Sequence, residues 1–175
     1  MTNLIIRPSE DRDTPSIAEI YAHYVRNSTA TFESEPPDAG ATGRRRAEVL
    51  ARGLPWLVAE VENGTIAAYA YASSYRTREA YRFTVEDSIY LHRAYLGQGI
   101  GTALLPRLIE SCQQAGARQM VAIIGGRENT ASVRLHAKFG FRHVGVLEAV
   151  GFKFGRWIDT ILMQRALGSG SAEEP

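Results

Sequence analysis

Residues 86–102 constrain this chain more than any other stretch. Glu-Asp-Ser-Ile-Tyr-Leu runs into His-Arg-Ala-Tyr-Leu and then into Gly97, Gln98, Gly99, Ile100, Gly101 and Thr102. Ile89, Tyr90 and Leu91 have the character of a buried strand, and Ile100, Leu104, Leu105, Leu108, Ile109 and Cys112 recur at helical spacing. Between them the glycines allow close backbone approach to an anion and aim N–H groups at it. The stretch therefore reads as a phosphate-holding turn at a helix start, with Glu86 one strand away; a turn that is merely tight is the competing reading. It lacks the Lys-Ser/Thr of a P-loop, and Gly97-x-Gly99-x-Gly101 is not the dinucleotide spacing. NTPase and dehydrogenase chemistry are excluded on those grounds.

At 175 residues the chain can bury one core, and its 45% hydrophobic and 22% charged content is that of an ordinary globular domain. Residues 1–167 are expected to form a single domain, with 168–175 a flexible tail rich in Gly, Ser and Glu. Twenty basic residues against 19 acidic ones give no electrostatic reason to expect nucleic acid. Cys112, on the apolar helical stripe, has no disulfide partner and reads as a small core residue. Met1 is followed by Thr-Asn rather than a basic and apolar leader, and no apolar run is long enough to cross a bilayer, so a cytoplasmic protein without membrane contact is expected. His23, His92, His136 and His143 lack ligand spacing, and no metal is expected.

In chain order, residues 4–7 form a strand closed by Pro8, and Asp13-Thr14-Pro15 caps a helix whose inward stripe is Ile17, Ile20, Tyr21 and Tyr24. Residues 27–37 lack a helical period and carry Phe32, either as a substrate contact or tucked against the core. A second helix is expected over residues 44–52, ending at Gly53. Two strands flank an Asn63-Gly64 turn as a hairpin, and Arg76, Arg78 and Arg82 lie in a polar loop before the chain re-enters the sheet at 83–85. Those arginines could meet an anionic group or solvent. After the central helix come a buried strand at 119–124, a helix beginning at Asn129, and two strands at 141–150 and 157–167 joined through 151–155. Pro106 falls inside the central helix and should bend or loosen it. The resulting fold class is α/β, a mixed sheet covered by helices, with the strand-helix-strand unit around the glycine turn forming a parallel pair.

This order of elements, with Asn129 to Phe141 following the strand after the glycine turn, resembles the GCN5-related N-acetyltransferase superfamily. Thr31-Phe32-Glu33 with Glu35-Pro36, Pro55-Trp56-Leu57-Val58-Ala59-Glu60-Val61, Thr84-Val85-Glu86, Ser132-Val133-Arg134-Leu135-His136 and Gly151-Phe152-Lys153 with Trp157 resemble, more narrowly, the phosphinothricin/methionine sulfoximine acetyltransferases. The resemblance spans most of residues 29–165. It implies a central, mostly antiparallel mixed sheet with one splayed parallel pair and helices on both faces. It further implies acetyl-CoA as co-substrate, a small amino acid or analogue as acceptor, and a homodimer. A protein N-terminus or other amine as acceptor, or a non-catalytic acyl-CoA sensor, are the alternatives.

Under that resemblance, the pantetheine arm would pair with Ile89, Tyr90 and Leu91, and the pyrophosphate would rest on the amides of Gly97, Gln98, Gly99, Ile100, Gly101 and Thr102. Asn129 and Ser132 would also contact the cofactor. Leu96 replaces the Arg or Gln usual in the superfamily, leaving backbone amides, Arg93 or His92 to meet that charge. Glu86 would take the ammonium proton, its pKa raised by partial burial, the Leu91 N–H would meet the oxyanion, and His136 would protonate the leaving thiolate. Phe32, Arg76, Arg78, Glu86 and Ser88 would line the acceptor pocket, with Lys153 and Trp157 contributed by a partner subunit.

Overall fold

The computed structural model describes residues 4–174, apart from the side chain of Asn63; the leader reading at 1–3 and the end of the expected tail at 175 lie outside the described residues. The apolar runs build one seven-stranded sheet from β1 (Ile5–Pro8), β2 (Trp56–Glu60), β3 (Ile66–Ser74), β4 (Thr84–Leu91), β5 (Gln119–Gly125), β6 (Arg142–Lys153) and β7 (Arg156–Ala166). Their spatial order is β1-β2-β3-β4-β5-β7-β6. All neighbours run antiparallel except β4 and β5. That parallel pair is the one joined by a helix, because only a crossover can return the chain to the same end of the sheet. This is the mixed, mostly antiparallel sheet that the resemblance implies.

Among the described residues four α-helices cover it: α1 (Thr14–Asn27), α2 (Ala39–Ala51), α3 (Ile100–Gln114) and α4 (Thr130–Lys138). Alternation along the strands sends their side chains to two faces. On one, Ile17 and Ile20 of α1 and Val49 of α2 pack with Val58, Tyr69 and Tyr90. On the other, Leu104, Leu105, Leu108 and Cys112 of α3 pack with Ala68, Ala70, Val85 and Met120. The run of alanines on β3 lets α3 lie close to the sheet. α3 continues through Pro106 without a break; Leu104, Leu105 and Leu108 around it are fully buried and hold the helix against the sheet.

Several boundaries differ from the sequence reading. α2 begins at Ala39 rather than near residue 44, because Asp38 caps it through a 2.6 Å bond from the Ala41 N–H, despite the low helix propensity of Gly40 and Gly43. Asp13 occupies the N-cap position of α1, but its carboxylate is taken by Arg7 at 2.7 Å and makes no cap bond. The β2–β3 hairpin forms, though through a 3-10 turn at Glu62–Gly64 with a bulge beside Glu60, not a two-residue turn. β6 runs on to Lys153, so the link to β7 is only Phe154 and Gly155, both left-handed, as a two-residue hairpin requires. Residues 168–174 were expected to trail freely. They lie in turns beside the start of β5: the Leu167 N–H donates to the Arg118 carbonyl at 2.9 Å, and the Arg118 guanidinium donates to Ser169 and to the Glu174 carbonyl.

Leu105 has no solvent exposure and sits at the centre of the α3 packing face. Leu105→Ala should lower folding stability by about 2–5 kcal/mol, read as a drop in unfolding midpoint with the denaturant slope unchanged.

Candidate active site

The β4–β5 ladder ends early. Register runs from Thr84 opposite Gln119 to Asp87 opposite Ala122 and stops, although both strands continue for several residues. β3 remains paired with β4 through Leu91, and β7 with β5 through Gly125. The two strands therefore splay apart, and their facing backbone groups are left without each other. A cavity of about 640 Å³ opens there, lined by residues 87–91 of β4, by Ala122, Ile123 and Ile124 of β5, by the glycine turn, and by α4.

Gly97 and Gly99 have φ of 75° and 80°, a left-handed backbone that a side chain would strain. They turn the chain so that α3 starts at the cavity with its first-turn amides unpaired within the helix. Gly97, Gly99, Gly101 and Thr102 all line the cavity. Of the other turn residues expected there, Gln98 folds its side chain back onto the Ala94 carbonyl at 3.0 Å, and Ile100 is buried in the core. Neither His92 nor Arg93 lines the cavity, whereas Arg134 and Lys138, one turn apart on α4, do. Sequence reasoning passed over that pair; their i, i+4 spacing was the available signal.

Along the splayed edge, the Leu91 N–H expected to meet an oxyanion donates to the Tyr24 hydroxyl at 3.3 Å, and that hydroxyl donates back to the Leu91 carbonyl at 2.8 Å. Backbone groups two residues apart leave a strand by the same edge, so the Ile89 amide also faces the gap. Asn129 and Ser132 line the cavity, and Asn129 makes no side-chain cap to α4.

At the closed end lies a pair that the sequence showed only by half. His136, on the inward face of α4, is 2% exposed, and its Nε2 is 2.9 Å from Asp87 Oδ2. Burial works against a charged ring, but the Asp87 hydrogen bond and charge, with the Ser132 carbonyl, raise the His136 pKa above its ordinary value. Asp87 follows Glu86 directly; strand alternation puts it on the α3 face of β4 with Val85 and Ile89, and Glu86 on the opposite face. Glu86 does not line the cavity. Burial foremost, and then the charge of Asp87, push its pKa up, with Arg76 opposing.

The loop before α2 stands over the far ends of β5 and β6. Lys153, expected from a partner subunit, is buried in its own chain and donates to the carbonyls of Ser28 at 2.8 Å and Thr31 at 2.7 Å. Burial lowers its pKa, with Glu33 opposing. Tyr21 bonds Thr31 and Glu33, and Arg45 pairs with Glu33 at 2.7 Å. Phe32 is half exposed, yet its ring lies against Gly151, where an added Cβ would come within 2.3 Å of it. Arg76 stacks on Tyr75, Arg78 is exposed, and Ser88 lines the cavity. Trp157 is 66% exposed on the outer hairpin.

A cleft between splayed parallel strands, with an anion-holding helix start at one end and titratable groups at the other, suits an extended phosphate-bearing thioester. Comparison with known proteins agrees. Residues 17–141 match the acetyltransferase (GNAT) family. A phosphinothricin N-acetyltransferase of Alcaligenes faecalis is 52% identical, over 97% of this chain and 86% of that relative. An L-methionine sulfoximine/L-methionine sulfone acetyltransferase of Salmonella typhimurium is 39% identical, over 98% and 99%. The crystal structure of a phosphinothricin acetyltransferase from Sinorhizobium meliloti in complex with AcCoA superposes with a TM-score of 0.95 at 45% identity, covering 98% of this chain and 92% of that one.

Lys153→Met should orphan two loop carbonyls and cost about 1–3 kcal/mol, measured as a lowered thermal midpoint together with faster proteolysis between residues 28 and 33. The splayed sheet, the glycine turn and the family match lead to one conclusion: the chain belongs to the GNAT family of acetyltransferases.

Proposed function

We propose that this enzyme moves the acetyl group of acetyl-CoA onto the amino group of a small amino acid or analogue of the phosphinothricin, methionine sulfoximine or methionine sulfone type. The observation that carries the reading is the cleft: glycine turn, unpaired strand edge and titratable groups follow one another along it, in the order of the phosphates, the pantetheine arm and the thioester of the donor. The acceptor class comes from the relatives, one named for phosphinothricin and one for methionine sulfoximine and sulfone.

In this reading the pantetheine lies along the free edge of β4 at Ile89, and the pyrophosphate meets the first-turn amides of α3. Leu96 is exposed and offers that end no charge, so Arg134 and Lys138 supply it from the facing wall. The amine approaches from the Glu86 face of β4. Glu86 takes its proton there, and the raised carboxyl pKa brings the base closer to working pH. Ser88, Arg76 and the Phe32 loop border the acceptor, with Arg78 nearby. The protein works in the cytoplasm.

A second copy completes the outer surface. Val144, Leu147, Val150, Phe152, Phe154 and Trp157 are all exposed along the β6–β7 hairpin, with the Phe152 and Trp157 rings in contact, a concentration of large apolar side chains in one hairpin. We assign it to a homodimer, and Trp157→Arg should convert the dimer to monomer in sedimentation.

Thiol release from acetyl-CoA should be rapid with methionine sulfoximine, methionine sulfone or phosphinothricin and absent with peptides. Acetyl-CoA binding without turnover on a broad amino-acid panel would contradict this. Glu86 must be ionised to act, so kcat/KM should fall as pH drops through its raised pKa. Glu86→Gln should lower kcat by about 10²–10⁴-fold and abolish that limb while acetyl-CoA affinity holds. Charge removal at both Arg134 and Lys138 should instead raise the acetyl-CoA KM, and more so at low salt.

A further inference from the structure

We propose that Asp87, His136 and Ser132 form one proton relay in the cavity wall, which holds a proton in the resting enzyme and delivers it to the departing CoA thiolate. The proposal rests on the acetyltransferase reading and adds two residues, Asp87 and Ser132, to its proton chemistry. His136 Nδ1 lies 2.8 Å from the Ser132 carbonyl, which can only accept, so Nδ1 carries hydrogen. Nε2 then faces Asp87 Oδ2 at 2.9 Å, a contact that is attractive only with a second proton between them. His136 and Asp87 side chains are 3% and 1% exposed, so water does not supply it. On the ring, the direction in which the Asp87 hydrogen bond and charge move the His136 pKa, that proton makes His136 an imidazolium held by Asp87 Oδ2, while Oδ1 has no partner among the described residues.

The surroundings leave this pair alone. Along β4 the next acid is Glu86, on the opposite face. α3 presents Cys112, whose thiol burial pushes up to about 12, so it stays neutral. β5 presents Ala122 opposite Asp87, and the Phe141 ring packs perpendicular to His136, ring centres 4.9 Å apart. Arg134 and Lys138 of α4 belong to the outer wall of the cavity.

The outlet is Ser132. Its hydroxyl lies 3.3 Å from Nδ1 and its residue lines the cavity. As the C–S bond of the tetrahedral intermediate breaks, the electron pair goes to sulfur. The Ser132 hydroxyl gives its proton to sulfur and takes the Nδ1 proton in turn. CoA leaves as the thiol, and His136 remains neutral with Nε2–H still donating to Asp87. Nδ1 then faces the Ser132 carbonyl without a hydrogen, which favours return of a proton from the cavity through the Ser132 hydroxyl once CoA has left. Asp87 acts through His136 and is a positioning residue.

Ring-nitrogen NMR of the full-length, ligand-free protein tests the resting state. His136 should carry both ring protons near pH 7.5 and lose one in Asp87→Asn; a neutral His136 in the wild type overturns the proposal. In turnover, Asp87→Asn and Ser132→Ala should each lower kcat by at least about tenfold, with the acetyl-CoA KM changed by less than about threefold. Ser132→Ala should leave the ring protonated, which separates delivery from charge-setting. Both variants at wild-type kcat, or a covalent acetyl on Ser132 in intact-protein mass spectra, would also overturn it. If the wild type acetylates no acceptor, the function reading fails, and ring NMR still decides whether the proton-holding unit exists.

Discussion

Everything at the site follows from the point where β4 and β5 stop pairing. A parallel ladder that continued past Asp87 and Ala122 would fill the cleft with its own hydrogen bonds. Because it stops, Ile89 and Leu91 turn unpaired backbone into a cavity. Tyr24 answers part of that demand by bonding both backbone groups of Leu91 with one hydroxyl. The remainder suits an extended ligand that brings its own amides. The splay is held open from both sides, by β3 on β4 and by β7 on β5, so the cleft belongs to the sheet rather than to a mobile loop.

From that opening the strand order assigns directions. The glycine turn places helix-start amides at one end of the cleft, and β4 alternation places Asp87 inside and Glu86 on the far face. Two carboxylates adjacent in sequence thereby acquire separate environments. Asp87 meets a histidine, and Glu86 is desolvated without a close cation of its own beyond the influence of Arg76. Acid and base functions can coexist on one strand because the strand itself separates them.

Much of this was legible in the sequence, where periodicity and chemistry coincided. The 3.6-residue stripe of α3 and the apolar runs of β2 to β5 pointed to the architecture, and the glycines of residues 97–102 pointed to the turn that lines the cleft. What escaped depends on long-range partners. Asp13 looks like a helix cap until Arg7 claims it, and Lys153 looks available until the carbonyls of Ser28 and Thr31 take its ammonium. Asp87 was hidden by its neighbour, since nothing local says which of two adjacent acids faces the histidine 49 residues away. α2 began earlier than its composition suggested because the Asp38 cap outweighed two glycines.

The central claim is that the cleft opened by β4 and β5 receives acetyl-CoA along its length, with phosphates at the glycine turn and the thioester toward Asp87. Amide hydrogen exchange, with and without acetyl-CoA, reads this directly. Slowed exchange should appear together at residues 88–91, at 97–102 and in the first turn of α4, with the outer hairpin of β6 and β7 unchanged. Protection confined to other surfaces, or none at the glycine turn at saturating acetyl-CoA, would contradict the account.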